Sequence, residues 1–372
     1  MYKTLILLFL ALLPFLQVAG QEQRRSQYYR YQGKIITAED FQQYPEPVQA
    51  NIIKEQQEYS KVLLLKAVEA ESMAQPKAAF AYLDTALRLY PEFAEGFANT
   101  GLLLLKNGYR ENAVRYLTRA TQLNDSLTYA HWGLSHLYTS MEQYDKAILA
   151  LNKVMEYNPS EKALQQRSDL YFAQGDYTLA IKDINQLLEQ NESAADLWAQ
   201  KGKILLLQED MAGATQAYQQ ATTIAKDSTL YLTTLGVLLE QQKEYKQVDL
   251  LITTLEQQQA STAEAYFLYS LQKYRQRSYI EAMADVNKAI SIQPKAHYYI
   301  HRSALYILRS KAESALNDTN QAIALSPKNG SAYLNKGIAE EMLQQYDKAC
   351  QSWQIAAANG VSIANEYLKD CK

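Results

Sequence analysis

The sequence predicts an all-α solenoid of about nine helix pairs, because small and apolar residues recur along it in three series with one period. Within each series the step is 33 or 34 residues. One period of this length indicates stacked copies of a single helical unit. A second series lies seven residues after the first, and a third lies twelve residues before it. The first series is alanine everywhere except Val248 and consists of Ala79, Ala113, Ala147, Ala180, Ala214, Val248, Ala282, Ala315 and Ala349.

Each repeat is predicted to contain two antiparallel helices joined by a short turn. Apolar and small residues such as Phe97, Gly101 and Leu104 lie at helical spacing, and Asn107-Gly108 then interrupts the pattern. Small residues at fixed points allow the two helix backbones to approach closely. Four prolines end the second helix of their repeats because proline lacks an amide proton. They share one position, twelve residues after the alanine, and are Pro91, Pro159, Pro294 and Pro327.

This pattern resembles the tetratricopeptide repeat (TPR) family, whose unit is a 34-residue helix-turn-helix. The family's aromatic residue in the first helix matches Phe97, Trp198, Tyr266, Tyr299 and Tyr333, and its turn tyrosine matches Tyr144 and Tyr346, among others. The resemblance implies a right-handed superhelical solenoid over residues 47–361. Its repeats are expected near residues 60–93, 94–127, 128–160, 161–194, 195–228, 229–262, 263–295, 296–329 and 330–361.

The sixth repeat departs from the pattern. It has Val248 and Leu255 where alanine is usual, and Ala260 replaces the terminal proline. The glutamine-rich run at residues 256–259 follows directly. Two interpretations stay open: a looser junction near residues 256–264, or a plain variant repeat.

The first twenty residues are predicted to be a cleaved signal peptide. Lys3 precedes an apolar stretch over residues 5–16, and Val18-Ala19-Gly20 provides a small-residue cleavage site. The stretch is short for a membrane span, although an uncleaved anchor is the alternative. No cysteine follows it, so a lipid anchor is not expected. The mature chain would then be periplasmic or secreted, without stable membrane insertion.

Residues 21–46 are expected to be a flexible or capping segment ahead of the solenoid. The tyrosine-rich run at residues 28–31 could belong to a disordered leader or a docking arm. Thr37 and Asp40 have the spacing of a capping box, which predicts that a helix begins after Thr37.

The other end of the chain carries both cysteines. Gly360 is expected to end the last repeat, and residues 362–372 to form a capping helix in which Ile363, Tyr367 and Leu368 cover the core. Cys350 and Cys371 lie nine and eleven residues from the turn between these antiparallel helices, so they should be close. In an oxidising compartment they can form a disulfide, the alternative being two inert thiols. This segment also resembles the C termini of secreted Bacteroidetes-type TPR proteins.

Composition and motifs argue against several classes of function. The net charge of −3 offers no basic surplus for nucleic acid. No HExxH, GxSxG or phosphate-binding glycine loop is present, so neither catalysis nor a cofactor is predicted. His297 and His301 share a helix face, but no third ligand is arranged near them, and no metal site is predicted. An enzyme with an unrecognised site is the third and least favoured class of function.

The resemblance does imply a binding surface, because the first helix of each TPR lines a concave groove. Aromatic side chains in such a groove often anchor a partner, although any of them could instead pack between repeats. Tyr129, Trp132 and Phe172 form the favoured patch. A chaperone-type carboxylate clamp is not expected, since Leu64 and Val68 occupy its positions in the first repeat. The groove candidates are Asn99, Tyr129, Trp132, His136, Gln166, Asp169, Phe172, Lys203, Phe267 and Tyr274.

The sequence therefore predicts an exported TPR scaffold or adaptor. It would bind protein or peptide partners in its groove, within a cell-envelope complex. The alternative is a protein that binds glycan or cell-wall material, in which tyrosine and tryptophan stack on sugar rings.

Overall fold

A computed structural model describes residues 28–369 and residue 371, in which all elements but one hairpin are helical. The predicted signal peptide lies outside these residues. The chain divides into two compact units after Glu192. Unit 1 contains β1 (Tyr28–Tyr31), β2 (Lys34–Thr37), α1 (Ala38–Gln42), α2 (Glu46–Ser72), α3 (Pro76–Leu89), α4 (Ala94–Lys106), α5 (Arg110–Leu123), α6 (Thr128–Ser140), α7 (Tyr144–Tyr157), α8 (Glu161–Gln174) and α9 (Tyr177–Gln190).

Unit 2 continues with five further helix pairs and one short last helix. Successive helices form antiparallel pairs from α2–α3 to α18–α19, which we number as repeats 1 to 9. The all-α repeat fold predicted from the sequence is thus confirmed. The elements of unit 2 are α10 (Ala195–Leu207), α11 (Met211–Ile224), α12 (Thr229–Gln241), α13 (Tyr245–Gln257), α14 (Ala263–Arg275), α15 (Tyr279–Ile292), α16 (Ala296–Leu308), α17 (Ala312–Leu325), α18 (Gly330–Met342), α19 (Tyr346–Ala358) and α20 (Ala364–Leu368).

The periodic small residues lie where the two helices of a pair touch. Ala113 and Ala120 on α5 are fully buried. Gly101 on α4 faces Leu117, and a Cβ atom at Gly101 would lie 2.6 Å from the Leu117 Cγ atom. Larger residues at these positions would push the helices apart.

The turn inside each pair passes through one residue in the left-handed conformation. Two of these residues are glycines, Gly108 and Gly175, for which this conformation costs little. The other turns use residues with a Cβ atom, such as Glu142 and Ser310. The turn geometry therefore repeats more faithfully than the turn sequence.

The segment before the repeats forms a β-hairpin, which the sequence analysis did not predict. β1 and β2 pair antiparallel, with Tyr31 opposite Lys34, around a Gln32-Gly33 turn in which both residues have positive φ. The Tyr29 ring stacks on Phe41 with ring centroids 3.8 Å apart. β1 contacts α2 and α3, so the hairpin caps the first helix pair rather than leaving it open.

Local expectations at the ends and at the sixth repeat have mixed outcomes. The capping box between Thr37 and Asp40 is present, with both hydrogen bonds formed.

After repeat 6, α13 ends at Gln257, and Thr262 caps α14 by accepting a hydrogen bond from the Ala265 amide. Gln259 in the intervening turn has a φ of 53°. Residues 258–262 thus form a defined turn between two helices.

At the C terminus, α20 folds back on the last helix pair. Cys350 and Cys371 form a disulfide with their Cα atoms 5.8 Å apart. The Tyr367 ring lies 4.9 Å from the Trp353 ring, and Leu368 packs on the same cluster. The expectation for Ile363 was wrong, because this residue precedes the helix and its side chain is 55% exposed.

Repeats 4 and 8 share a partly buried network of hydrogen bonds that we call the latch. In repeat 4, Arg167 donates two hydrogen bonds of 2.8 and 2.7 Å to the Asp183 carboxylate and one of 2.7 Å to Asn152 of the preceding repeat. In repeat 8, Arg302 makes the same three bonds to Asp318 and Asn287. Each latch ties both helices of its repeat to the repeat before it.

Candidate functional site

The exposed side of the first helices in unit 1 is the strongest candidate for a binding surface. The helices α2, α4 and α6 contact one another in sequence. We call their exposed side, with that of α8, the first-helix face. Lys106 on α4 forms an exposed ion pair with Glu71 on α2, with Nζ 2.9 Å from Oε1.

Tyr129 and Asn99 come together on this face. Both are half-buried, and the Asn99 amide donates a hydrogen bond of 2.8 Å to the Glu95 carbonyl oxygen. Burial of Tyr129, with the negative charge of Glu95 nearby, raises the pKa of Tyr129 to about 12, although a hydrogen bond with Asn99 acts in the opposite direction. The Tyr129 hydroxyl therefore keeps its proton at neutral pH.

Trp132 and Phe172, the other members of the favoured patch, have different surroundings. Trp132 is half-buried against the cluster that includes Ile148, Leu151 and Leu170, and the Lys162 Nζ atom lies 5.2 Å from its ring. The Phe172 ring lies 5.9 Å from the ring of Tyr177, the first residue of α9. The structure thus joins Trp132 to the core of repeats 3 and 4.

The remaining candidates in unit 1 lie on the same helices. His136 on α6 and Asp169 on α8 are exposed, and Gln166 is half-buried. Asp169 accepts a hydrogen bond of 3.2 Å from Gln165. These side chains add a polar border beside the aromatic ones.

The apolar part of this face was not among the predicted site residues. On α2, Leu65 and Val68 are 68% and 49% exposed, and they share a side of the helix because they are three residues apart. On α4, Leu102 and Leu105 are half-buried against the core of unit 1. Val68 could have indicated this apolar part, because an apolar residue at a groove position suits an apolar partner. It was used only as an argument against a carboxylate clamp.

In unit 2 the corresponding side of the helices is tied by polar contacts. Tyr231 donates a hydrogen bond to Asp196, and Lys295 pairs with Glu264. Arg275 pairs with both Glu240 and Asp249. Lys203, the candidate on α10, is exposed. Many polar side chains on this side therefore already have hydrogen-bond or ion-pair partners within unit 2.

Phe267 is a correction to the predicted site. It is only 7% exposed, and its ring lies 4.8 Å from Tyr298 and 5.6 Å from His301 on the next first helix. The aromatic residues of two neighbouring repeats pack against each other, so Phe267 belongs to the core. Tyr274 is half-buried, with its ring 5.4 Å from His301.

The two histidines of α16 take part in this packing. The His301 Nε2 atom lies 2.9 Å from the Ser270 hydroxyl oxygen, and burial lowers the pKa of His301 to about 4. Burial also lowers the pKa of His297.

Across residues 28–369 and 371, no group of three or more His, Cys, Asp or Glu side chains could hold a metal ion. In the same part of the chain, none of the helices has the length and apolar character to cross a bilayer.

Comparison with known proteins adds to this geometry. Models described as "Tetratricopeptide repeat" match residues 128–161 and residues 166–229. The Hsp70-Hsp90 organizing protein 3 of Arabidopsis thaliana is 23% identical over 226 residues, which cover 57% of this chain and 39% of the plant protein. A TPR repeat-containing protein of Methanocaldococcus jannaschii is 23% identical over 295 residues, covering 77% of this chain and 49% of the archaeal one.

These relatives are longer than the chain, which spans about two fifths to one half of their length. Among solved structures, the Cut9–Hcn1 heterotetramer of APC/C aligns with a TM-score of 0.51 at 11% identity, over 89% of this chain and 81% of that one. This likeness shows the fold. The family models thus identify tetratricopeptide repeats at residues 128–161 and 166–229, and the helix pairs before and after them follow the same period.

Proposed function

We propose that this chain is a scaffold or adaptor that binds a protein or peptide partner on the first-helix face of unit 1. The observation that carries the proposal is the apolar row on this face. Leu65 and Val68 are exposed, and Leu102 and Leu105 lie half-buried on the adjacent helix. Burying such side chains against a partner is favourable at about 25 cal/mol per Å² of apolar surface.

The neighbouring polar groups define the chemistry of the partner. Tyr129 offers a protonated hydroxyl, and Glu95 places a negative charge beside it. A peptide with apolar side chains on one side and a hydrogen-bond donor or cation near Glu95 complements this arrangement. An amphipathic helix or an extended segment can present that pattern.

The face does not suit a C-terminal carboxylate. Leu64 and Val68 occupy the positions where a clamp would need cationic or amide side chains. The Asn99 amide is engaged with the Glu95 carbonyl oxygen. Recognition through apolar contacts is therefore favoured over recognition of a charged chain end.

The location of the protein is part of the proposal. The signal-peptide pattern of residues 1–20 and the disulfide between Cys350 and Cys371 support export to an oxidising compartment. There the chain would act within a cell-envelope complex. The name of the plant relative, an organizing protein, also supports an adaptor role.

Partner capture from a cell-envelope extract tests the proposal. The full chain should retain a specific protein at stoichiometric yield. Val68→Glu places a charge in the apolar row and should weaken retention at least tenfold, since a central apolar contact contributes about 2 kcal/mol. Leu250→Glu is the matched control, because Leu250 is also exposed but lies on α13 of unit 2.

Equal retention by the Val68→Glu variant would remove this face from consideration. Retention on polysaccharide alone, with no protein captured, would instead favour the glycan-binding alternative.

A further inference from the structure

Repeat 8 contains an open polar cavity between its two helices, α16 and α17. Its volume is about 290 Å³, and its walls are Arg302, Tyr306, Glu313, Ser314, Asn317 and Asp318. The cavity lies in unit 2, and none of its residues belongs to the first-helix face of unit 1. Whatever binds here is therefore separate from the proposed partner site.

The floor of the cavity is the latch of repeat 8. Arg302 has five N–H donors. It gives two to the Asp318 carboxylate at 2.7 Å each and one to Asn287 at 2.8 Å. Two donors are left, while both oxygens of the buried Asp318 are occupied. The charges of the floor are thus balanced, and the Arg302 guanidinium can still donate hydrogen bonds.

The rim of the cavity carries polar side chains that are available to hydrogen-bond a ligand. In the described part of the chain, the side chains of Glu313, Ser314 and Asn317 make no hydrogen bond or ion pair. Glu313 can accept hydrogen bonds, whereas the Ser314 hydroxyl and the Asn317 amide can both donate and accept. Tyr306 is half-buried and adds an aromatic ring to the wall.

We propose that this cavity binds a single carbohydrate ring. Sugar hydroxyls both donate and accept, which matches the mixture of Arg302 and Asn317 donors with the Glu313 carboxylate. A simple anion would be repelled by Glu313, whose charge the balanced floor does not offset. The half-buried Tyr306 side chain adds apolar surface to the wall, and the Arg302 guanidinium carbon lies 5.8 Å from its ring centroid. The volume is at the small end for ligand sites, which suits one ring.

Repeat 4 provides an internal control for this assignment. Its latch is the same, but Thr178, Leu179 and Lys182 stand where Glu313, Ser314 and Asn317 stand in repeat 8. Repeat 4 therefore has the floor without the carboxylate and the amide of the rim. The sugar-binding groups are additions to a shared framework.

Saturation-transfer NMR on the full oxidised chain tests the proposal. The probes are the methyl glycosides of glucose, galactose, mannose and N-acetylglucosamine at about 10 mM, above the roughly millimolar Kd expected for one ring. At least one should bind saturably. Asn317→Lys gives the rim the lysine of repeat 4 and should weaken binding about tenfold, as expected for losing one or two hydrogen bonds. Lys182→Asn in repeat 4 is the matched control and should change nothing.

Glu313→Gln, at an exposed position, is a second variant that should also weaken binding if Asn317→Lys disturbs folding. The proposal is overturned if none of the four glycosides binds. It is also overturned if both rim variants bind as the unaltered chain does, or if a lysine-rich peptide or inorganic phosphate is bound in place of the glycosides.

Discussion

Repeats 4 and 8 have the same latch but opposite surroundings on the first-helix side. Trp132 precedes repeat 4, is half-buried and has the Lys162 ammonium over its ring. Phe267 occupies the equivalent position before repeat 8 and is buried. The latch links each of these repeats to the one before it in the same way. Other residues determine whether the aromatic residue is half-buried, as Trp132 is, or buried, as Phe267 is.

The residues that make this difference lie on the following first helix. In repeat 4 the positions facing the aromatic residue hold Lys162, Ala163 and Gln166, and in repeat 8 they hold His297, Tyr298 and His301. The second set is aromatic and closes around Phe267, with Tyr298 fully buried. The first set contains the small Ala163 and the polar Lys162 and Gln166, and Trp132 stays half-buried there.

Alanine in place of each aromatic residue should give the largest effect. Phe267→Ala empties a closed site and should lower the free energy of unfolding by about 4 kcal/mol. Trp132→Ala should cost about 2 kcal/mol, because its ring is only half-buried, and it should also weaken partner binding. Urea unfolding followed by circular dichroism measures both values. Equal costs would contradict the assignment of Trp132 to the surface and Phe267 to the core.

Neutralising the latch aspartates should affect both repeats alike. Asp183→Asn and Asp318→Asn each leave a half-buried arginine without its charged partner, which should lower the free energy of unfolding by about 3 kcal/mol. Urea titrations of the two variants provide the comparison. A large loss in one repeat and none in the other would show that the latches are not equivalent.

Acid should weaken repeat 8 more than repeat 4. The pKa of His301 falls from an ordinary 6.5 to about 4 on folding, so the unfolded chain binds the proton more readily. The stability is complete above pH 6.5 and is lost as the pH falls towards 4. Between pH 7.5 and pH 5 the loss should be about 2 kcal/mol. His301→Gln, which copies Gln166 of repeat 4, should remove this component from the pH profile of urea unfolding.

If the profile of the His301→Gln variant matched that of the unaltered chain, other groups would govern the acid sensitivity. The burial of His301 against Ser270, Phe267 and Tyr274 would then not control its proton.

The regular parts of this structure follow from residues that act locally. The alanine series gave the helix pairs because a small residue is needed wherever two helices touch, and Gly360 marked the end of the last pair. The hairpin was missed because its Gln32-Gly33 turn lies in a polar segment, although tyrosine and isoleucine flank it as they do in strands.

The parts that could not be predicted depend on pairs of distant residues. Arg167 and Asp183 are sixteen residues apart, and their pairing depends on how two helices face each other. Phe267 was expected in the groove because its own position is exposed in the family. Its burial depends on Tyr298 and His301, which lie about thirty residues further along the chain.

The latch also bears on how the chain could be shortened. Asn287, Arg302 and Asp318 each follow their counterparts Asn152, Arg167 and Asp183 by 135 residues, the length of four repeats. Asn152 and Asn287 are both followed by lysine. A chain in which Asn152 runs directly into Lys288 would present Arg302 with an asparagine in the same register, so repeat 3 would join repeat 8 through an intact latch. The latch alone would not complete such a five-repeat solenoid, because Trp132 would then meet Tyr298 where it now meets Ala163, and that first-helix contact would need a new design.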